Sequence, residues 1–133
     1  MDRTALVELV MGIDIEGGKR LLKALDEAGV DVRGAFWLYF PEPEEWRIVF
    51  VMPKVNKDGP LKAYRLINNE LRKLVSIPDM LSLHVTVMDP SDDLIKAMRK
   101  SIKTEPDAIE DIFWDKRVVN GVYIDGAYIY RMS

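Results

Sequence analysis

Near the C-terminus runs Arg117-Val118-Val119-Asn120-Gly121-Val122-Tyr123-Ile124-Asp125-Gly126-Ala127-Tyr128-Ile129-Tyr130-Arg131, a stretch dominated by β-branched and aromatic residues and broken only by turn pairs. No other segment limits the fold so strongly. Asp-Gly between two β-prone runs predicts a hairpin, because a type I′ turn needs φ > 0 at both central residues. With Asp125-Gly126 as that turn, Ile124 faces Ala127, Tyr123 faces Tyr128 and Val122 faces Ile129. Side chains alternate across a strand. One face then carries Val122, Ile124, Ala127 and Ile129, and the other Tyr123, Tyr128 and Tyr130. The aliphatic face belongs on a core. The tyrosine face reads either as a half-buried packing layer or as an aromatic platform for a ligand or partner. Asn120-Gly121 is a second turn signal. It either closes a short strand at Val118-Val119 or marks a bulge.

Two further runs, Ala35 to Phe40 and Trp46 to Met52, flank the proline-rich breaker Pro41-Glu42-Pro43-Glu44-Glu45 and predict a second hairpin. Pairing Phe40 with Trp46 puts Phe36, Leu38, Phe40, Trp46, Ile48 and Phe50 on one face. Ala35, Trp37, Tyr39, Arg47, Val49 and Val51 take the other. Both faces are largely apolar, as in central strands covered on both sides. Leu81 to Met88 alternates, with Leu81, Leu83, Val85 and Val87 opposite Ser82, His84, Thr86 and Met88.

Helical spacing fills the intervals. Asp2 to Met11 predicts a short helix. Asp14 is a candidate N-cap for a second, ending at Gly29, with Ile15, Leu21, Leu22 and Leu25 facing inward. Pro60 starts a third, with Leu61, Tyr64, Ile67, Leu71, Leu74 and Val75 in register and Ile77-Pro78 as its stop. Ser91 is the candidate N-cap of a fourth, carrying Leu94, Ile95, Met98 and Ile102. The Thr104/Asp107 spacing with Pro106 predicts a fifth, carrying Ile109, Ile112 and Phe113. The expected fold is one α+β (α/β) domain over residues 1–133: a five-stranded mixed, mostly antiparallel sheet with helices packed on it. The step from Trp46–Met52 through the Pro60 helix to Leu81–Met88 fits a parallel crossover. Either helices cover both sheet faces, or one face is a subunit interface.

Composition narrows the chemistry. The chain has no cysteine, which excludes disulfides, thiol nucleophiles and iron–sulfur clusters, and one histidine, which excludes a multi-His metal site. A net charge of −3 argues against a general nucleic-acid binder. No apolar run approaches the ~20 residues of a membrane helix. Neither a secretion leader nor a cofactor motif is readable, so the expectation is a cytoplasmic protein with no cofactor, no metal, no membrane and no nucleic acid. Gly17-Gly18 before Lys19-Arg20 suggests a phosphate cradle but lacks the spacing of the known glycine-rich loops. Asp89, Asp92 and Asp93 suit helix capping better than an oxygen-ligand cation site. His84, the one side chain that titrates near neutrality unperturbed, is the candidate acid–base group. Trp37, Tyr39 and Arg47 form a candidate stacking platform.

The C-terminal run Val119 to Arg131, with Gly18-Lys19-Arg20-Leu21-Leu22 and Trp37-Leu38-Tyr39, resembles a family of small bacterial proteins with no assigned activity. That resemblance implies a bacterial cytosolic origin and carries over no functional residue.

The leading expectation is a non-enzymatic cytosolic domain that binds a protein partner or itself as a homo-oligomer, since sheet surface appears in surplus. The alternative is a small-ligand-binding protein or enzyme with a pocket lined by Tyr123, Tyr128, Tyr130, His84 and Trp37. No catalytic residue is assigned.

Overall fold

Asp14 does cap a helix: its carboxylate accepts from the Gly17 amide at 2.9 Å and opens α1 (Ile15–Glu27). The computed structural model describes residues 13–74 and 84–133. The predicted Asp2–Met11 helix, Val75, the Ile77-Pro78 stop and Leu81 to Leu83 lie outside the described residues. Ile15, Leu21, Leu22 and Leu25 are fully buried, and Gly29 leaves the helix at φ 77°.

The chain continues through β1 (Gly34–Phe40), β2 (Glu45–Val51), the single turn α2 (Val55–Asp58) and α3 (Leu61–Leu71). β3 (Val85–Met88), α4 (Asp93–Ser101) and β4 (Ile112–Trp114) follow. β5 (Arg117–Val119), β6 (Val122–Ile124) and β7 (Ala127–Met132) complete it. The main sheet has five strands in the order β3-β2-β1-β7-β4, and β5 and β6 form a separate pair. β2 and β3 run parallel and the other pairs antiparallel. The sheet is therefore mixed, as the sequence predicts, and the crossover through α3 is the parallel one.

Its C-terminal strands differ from the expectation. Asp125-Gly126 does not fold β6 back onto β7. β6 pairs with β5 across Asn120-Gly121, where φ is 47° and 84°, the two left-handed residues a type I′ turn requires. Tyr123 therefore faces Val118, while Tyr128 lies between Trp37 of β1 and Phe113 of β4. Gly126 serves a close approach instead: a Cβ there would lie 3.0 Å from the Trp46 ring. The fifth strand comes from the segment expected to be helical. Thr104 does not cap a helix. Its amide donates to the Met132 carbonyl at 2.7 Å and its hydroxyl accepts from the Met132 amide at 2.9 Å, strapping the chain along β7 and leading it into β4.

The β1–β2 register is one residue from the expected one: Phe40 pairs with Glu45 and Tyr39 with Trp46. A one-residue slip exchanges the two faces of a strand. Ala35, Trp37, Ile48 and Phe50 thus share the core under α1 and α3, with Val87, Tyr128 and Tyr130. Phe36, Leu38, Val49 and Val51 share the opposite core with Ile95 and Met98 of α4, and with Val119 and Ile124 of the small hairpin. Both sheet faces are covered. A bulge where β7 passes Ala35 and Phe36 shifts the β1–β7 register at Tyr130. It turns Arg131 toward α1, where its guanidinium meets Asp26. At the opposite edge the Val87 amide donates to the Tyr64 hydroxyl at 3.2 Å, which occupies a donor of β3 that faces away from β2. The α4 N-cap is Asp92 rather than Ser91; Asp92 accepts from the Leu94 amide.

Asn120 also fixes the small hairpin to α4, its side-chain amide donating to the Ala97 carbonyl at 2.8 Å and the Ser101 hydroxyl at 2.9 Å. Asn120→Ala puts a Cβ-bearing residue without those bonds into left-handed backbone, and a loss of about 2 kcal/mol is expected in urea unfolding. Asn120→Gly keeps the turn and should lose about half as much.

Candidate functional site

The structure separates the five residues expected to line one pocket. Trp37, Tyr128 and Tyr130 lie together beneath α1, all buried. The Trp37 indole donates to the Tyr130 hydroxyl at 2.9 Å, which donates in turn to the Ile15 carbonyl at 2.8 Å. Burial pushes the Tyr130 phenol far above its usual range. With donor and acceptor both inside the protein, this face is a packing layer. Gly18 belongs to it. A Cβ on Gly18 would meet the Tyr130 hydroxyl, so this glycine lets the first turn of α1 settle onto that ring rather than cradle a phosphate, while Gly17 lies against its own cap, Asp14.

Tyr128 ends in a surface pair. Its hydroxyl donates to Asp111 at 2.6 Å, and the Lys19 ammonium lies 2.8 Å from the same carboxylate. Burial raises the Asp111 pKa, but the hydrogen bonds from Lys19 and Tyr128, with the Lys19 charge, outweigh it and hold the carboxyl below its ordinary value. A depressed carboxyl pKa contributes stability at neutral pH that is lost as pH falls through the folded value. Lys19→Gln is expected to cost less than about 1 kcal/mol at pH 7, because the pair is half exposed. Urea titrations of both proteins should converge only once the pH has fallen below the ordinary aspartate range, where the depressed Asp111 carboxyl is protonated in the folded state too.

His84 stands immediately before β3, its side chain mostly buried at 26% exposure, with Nδ1 3.2 Å from the Glu45 carboxylate. Glu45 also accepts from Arg47 at 2.8 Å, and Arg47 donates to the Thr86 hydroxyl at 3.1 Å. The three aspartates do not join this chain, since Asp89 lies beyond the far end of β3. Asp89 accepts from the Asn56 amide and from Ser91, while Asp92 caps α4. Those bonds hold the Asp89 carboxyl below its usual range, the Asn56 amide first among them. The stacking platform does not assemble either. The register places Arg47 over Phe40, 5.7 Å from its ring centroid, whereas Tyr39 packs against Trp46 on the other face.

Tyr123 is left on the outer face of the β5–β6 hairpin, 59% exposed opposite Val118 at 68%. Its hydroxyl donates to Asp125 at 3.1 Å. Ile109 and Phe113 are also exposed, which places four large apolar side chains within one short length of chain. The segment leading into it is acidic, before Lys116 and Arg117. Residues 105–115 contain Glu105, Asp107, Glu110, Asp111 and Asp115 and no lysine or arginine. Sequence reasoning missed Phe113 and Val118. Ile112-Phe113-Trp114 is a β-prone triplet, but the Thr104-Glu105-Pro106-Asp107 pattern ahead of it reads as a helix start.

Among the described residues, no helix is long and apolar enough to cross a membrane, and no group of three or more histidines or acids has the geometry to hold a metal ion. No family model, curated protein or solved structure matches the chain.

Proposed function

We propose that the chain is a binding domain whose working surface runs along residues 105–125 and takes a protein partner presenting basic side chains around an apolar anchor. The observation behind this reading is the exposure of Val118 and Tyr123 side by side on the outer face of the β5–β6 hairpin, directly after the acidic segment Glu105 to Asp115; Phe113, paired with Tyr128, is exposed on the opposite face of the sheet and stands apart from that anchor. Partner surfaces characteristically join an aromatic centre to a polar rim, and charge complementarity selects the sign of the partner. The sheet faces take no part, because each is already covered by helices or the small hairpin. The reading assigns no catalytic residue.

Selection of displayed peptides on the immobilised protein tests it. Lysine- or arginine-rich peptides with a large aliphatic residue are expected, with affinity falling as salt rises. Tyr123→Ser and Val118→Ser should each weaken the selected peptides about tenfold, as loss of an apolar anchor does. Selection of acidic peptides, or binding indifferent to both substitutions, would overturn the proposal. A second copy of the chain is the competing occupant, since α4 and its exit carry Lys96, Arg99, Lys100 and Lys103. Light scattering separates the two: a heterologous partner leaves the free protein monomeric on concentration, whereas a mass that rises with concentration assigns the surface to self-association.

A further inference from the structure

A second site lies away from that surface. We propose that the cleft at the C-terminal end of β2, between the exit of α1 and the first turns of α3, binds a small organic monoanion, its charged head at Lys54 and Lys62 and a short apolar tail on the cleft floor. The cleft has a volume of about 270 Å³. At about 30 Å³ per water-sized group, it accommodates on the order of nine non-hydrogen atoms.

Its lining divides by chemistry. Met52, Val55 and Ala63 form a nearly buried apolar floor, and Leu66 is a more exposed wall. Leu66 and its neighbour Leu61 are the exposed large apolar side chains that do not belong to the 105–125 surface. An apolar floor with a few polar groups at its rim is the usual constitution of a small-molecule site.

The charges determine which molecule fits. Lys54 and Lys62 line the cleft, and neither has an ion-pair partner among the described residues. Asp31 lies at the same rim, but Arg33 binds both of its oxygens at 3.2 Å and offsets its charge. Asp58 stands against the two lysines, so the rim keeps one positive charge in excess. A monoanion balances it; a dianion would over-neutralise it, and a cation would meet net repulsion. Lys54 also adopts left-handed backbone at φ 69°, a conformation that strains any residue with a Cβ. Unlike Glu44 and Asn120, it does so outside a β-hairpin turn, beside the cleft.

Three probes of one chain length test the proposal: hexanoate, hexanamide and hexylamine, titrated into the labelled full chain while backbone amide resonances are followed. Hexanoate should shift Gly29, Lys54, Gly59 and Ala63 saturably. Hexanamide should bind about tenfold more weakly, the equivalent of one ion pair, and hexylamine more weakly still. Lys62→Gln should reduce hexanoate affinity severalfold without moving Tm. Lys54→Gly should reduce affinity while raising Tm, because glycine relaxes the left-handed position; a purely structural lysine would lose no affinity. Non-saturating shifts, shifts away from the cleft, or equal binding of acid and amide would overturn the site. Because none of these residues lies within 105–125, failure here leaves the partner surface standing, and the reverse also holds.

Discussion

Asp26→Ala is expected to destabilise the protein by about 3 kcal/mol, the largest effect of any single surface-reaching substitution, because it strands a buried guanidinium. Arg131 is 1% exposed and grips Asp26 with two hydrogen bonds of 2.9 and 2.7 Å. Two further donors reach the Ala108 carbonyl at 2.9 Å and the Val32 carbonyl at 3.2 Å. One side chain thus joins the end of α1, the approach to β1 and the strap that leads to β4. Asp26 keeps about a third of its own exposure, so water compensates part of the loss and the lower end of the range for broken buried pairs applies. Urea unfolding followed by tryptophan fluorescence measures the change. The double variant Asp26→Ala with Arg131→Met should be more stable than Asp26→Ala alone, since methionine removes the stranded charge and keeps most of the volume. If the double variant is no better, the cost lies in the lost tie between elements and not in the charge.

Gly18→Ala comes next, and its sign is opposite to that of an ordinary helix. Alanine replacing glycine inside a helix stabilises it by about 1 kcal/mol. At Gly18 the new Cβ would lie within 3 Å of the Tyr130 hydroxyl oxygen and two ring carbons, and Tyr130 is fully buried. The ring has nowhere to retreat: Trp37 and Ile15 hold its hydroxyl, and Tyr128 packs edge-on against it with centroids 5.8 Å apart. A net loss of about 2 kcal/mol is expected, in the range of other overpacked cores. Gly17→Ala is the control. Its Cβ would strike only the end of the Asp14 side chain, which can swing toward solvent. The lost cap and the gained helix propensity then nearly cancel, to within about 1 kcal/mol. Equal stability of the Gly18→Ala and wild-type proteins would mean that α1 slides on the sheet, contrary to the packing described.

Local chemistry made much of this architecture legible. Asp14, Gly29 and the Leu21/Leu22/Leu25 stripe define α1 through contacts only a few residues apart, and the spacing reports such contacts directly. The doubly apolar β1 and β2 correctly signalled cover on both sides. What failed depended on distant partners. Asp125-Gly126 has the chemistry of a tight turn, but β1 and β4 claim both edges of β7, so β6 is displaced to β5 and the nearby Asn120-Gly121 makes the turn. Residues 104–113 have the capping residues of a helix, yet Thr104 finds its partner in Met132. The β1–β2 slip came from reading Glu45 as loop when it pairs with Phe40. The candidate pocket dispersed for the same reasons. Alternation joined Tyr123 to Tyr128 and Tyr130 only while β6 and β7 were neighbours, and Trp37 and Tyr130 carry polar atoms whose partners lie inside the fold. The acidic residues of 105–115 were visible throughout, but their neighbours Phe113 and Val118 could be recognised as exposed only after β4 and β5 were in place.

The position of β7 between β1 and β4 has a consequence for biosynthesis. The hydrogen bond from Trp37 to Tyr130 spans 93 positions, so the outer edge of β1 is made long before the strand that covers it. At ordinary elongation rates the interval is on the order of ten seconds. For that time a nascent chain can pair β1 with β2 but must leave an apolar strand edge open, the kind of surface that holding chaperones shield and that promotes aggregation between polysomes. Closing the sheet is therefore a late event in translation, and slow passage of the ribosome through residues 41–126 would lengthen the vulnerable period without altering a single native contact.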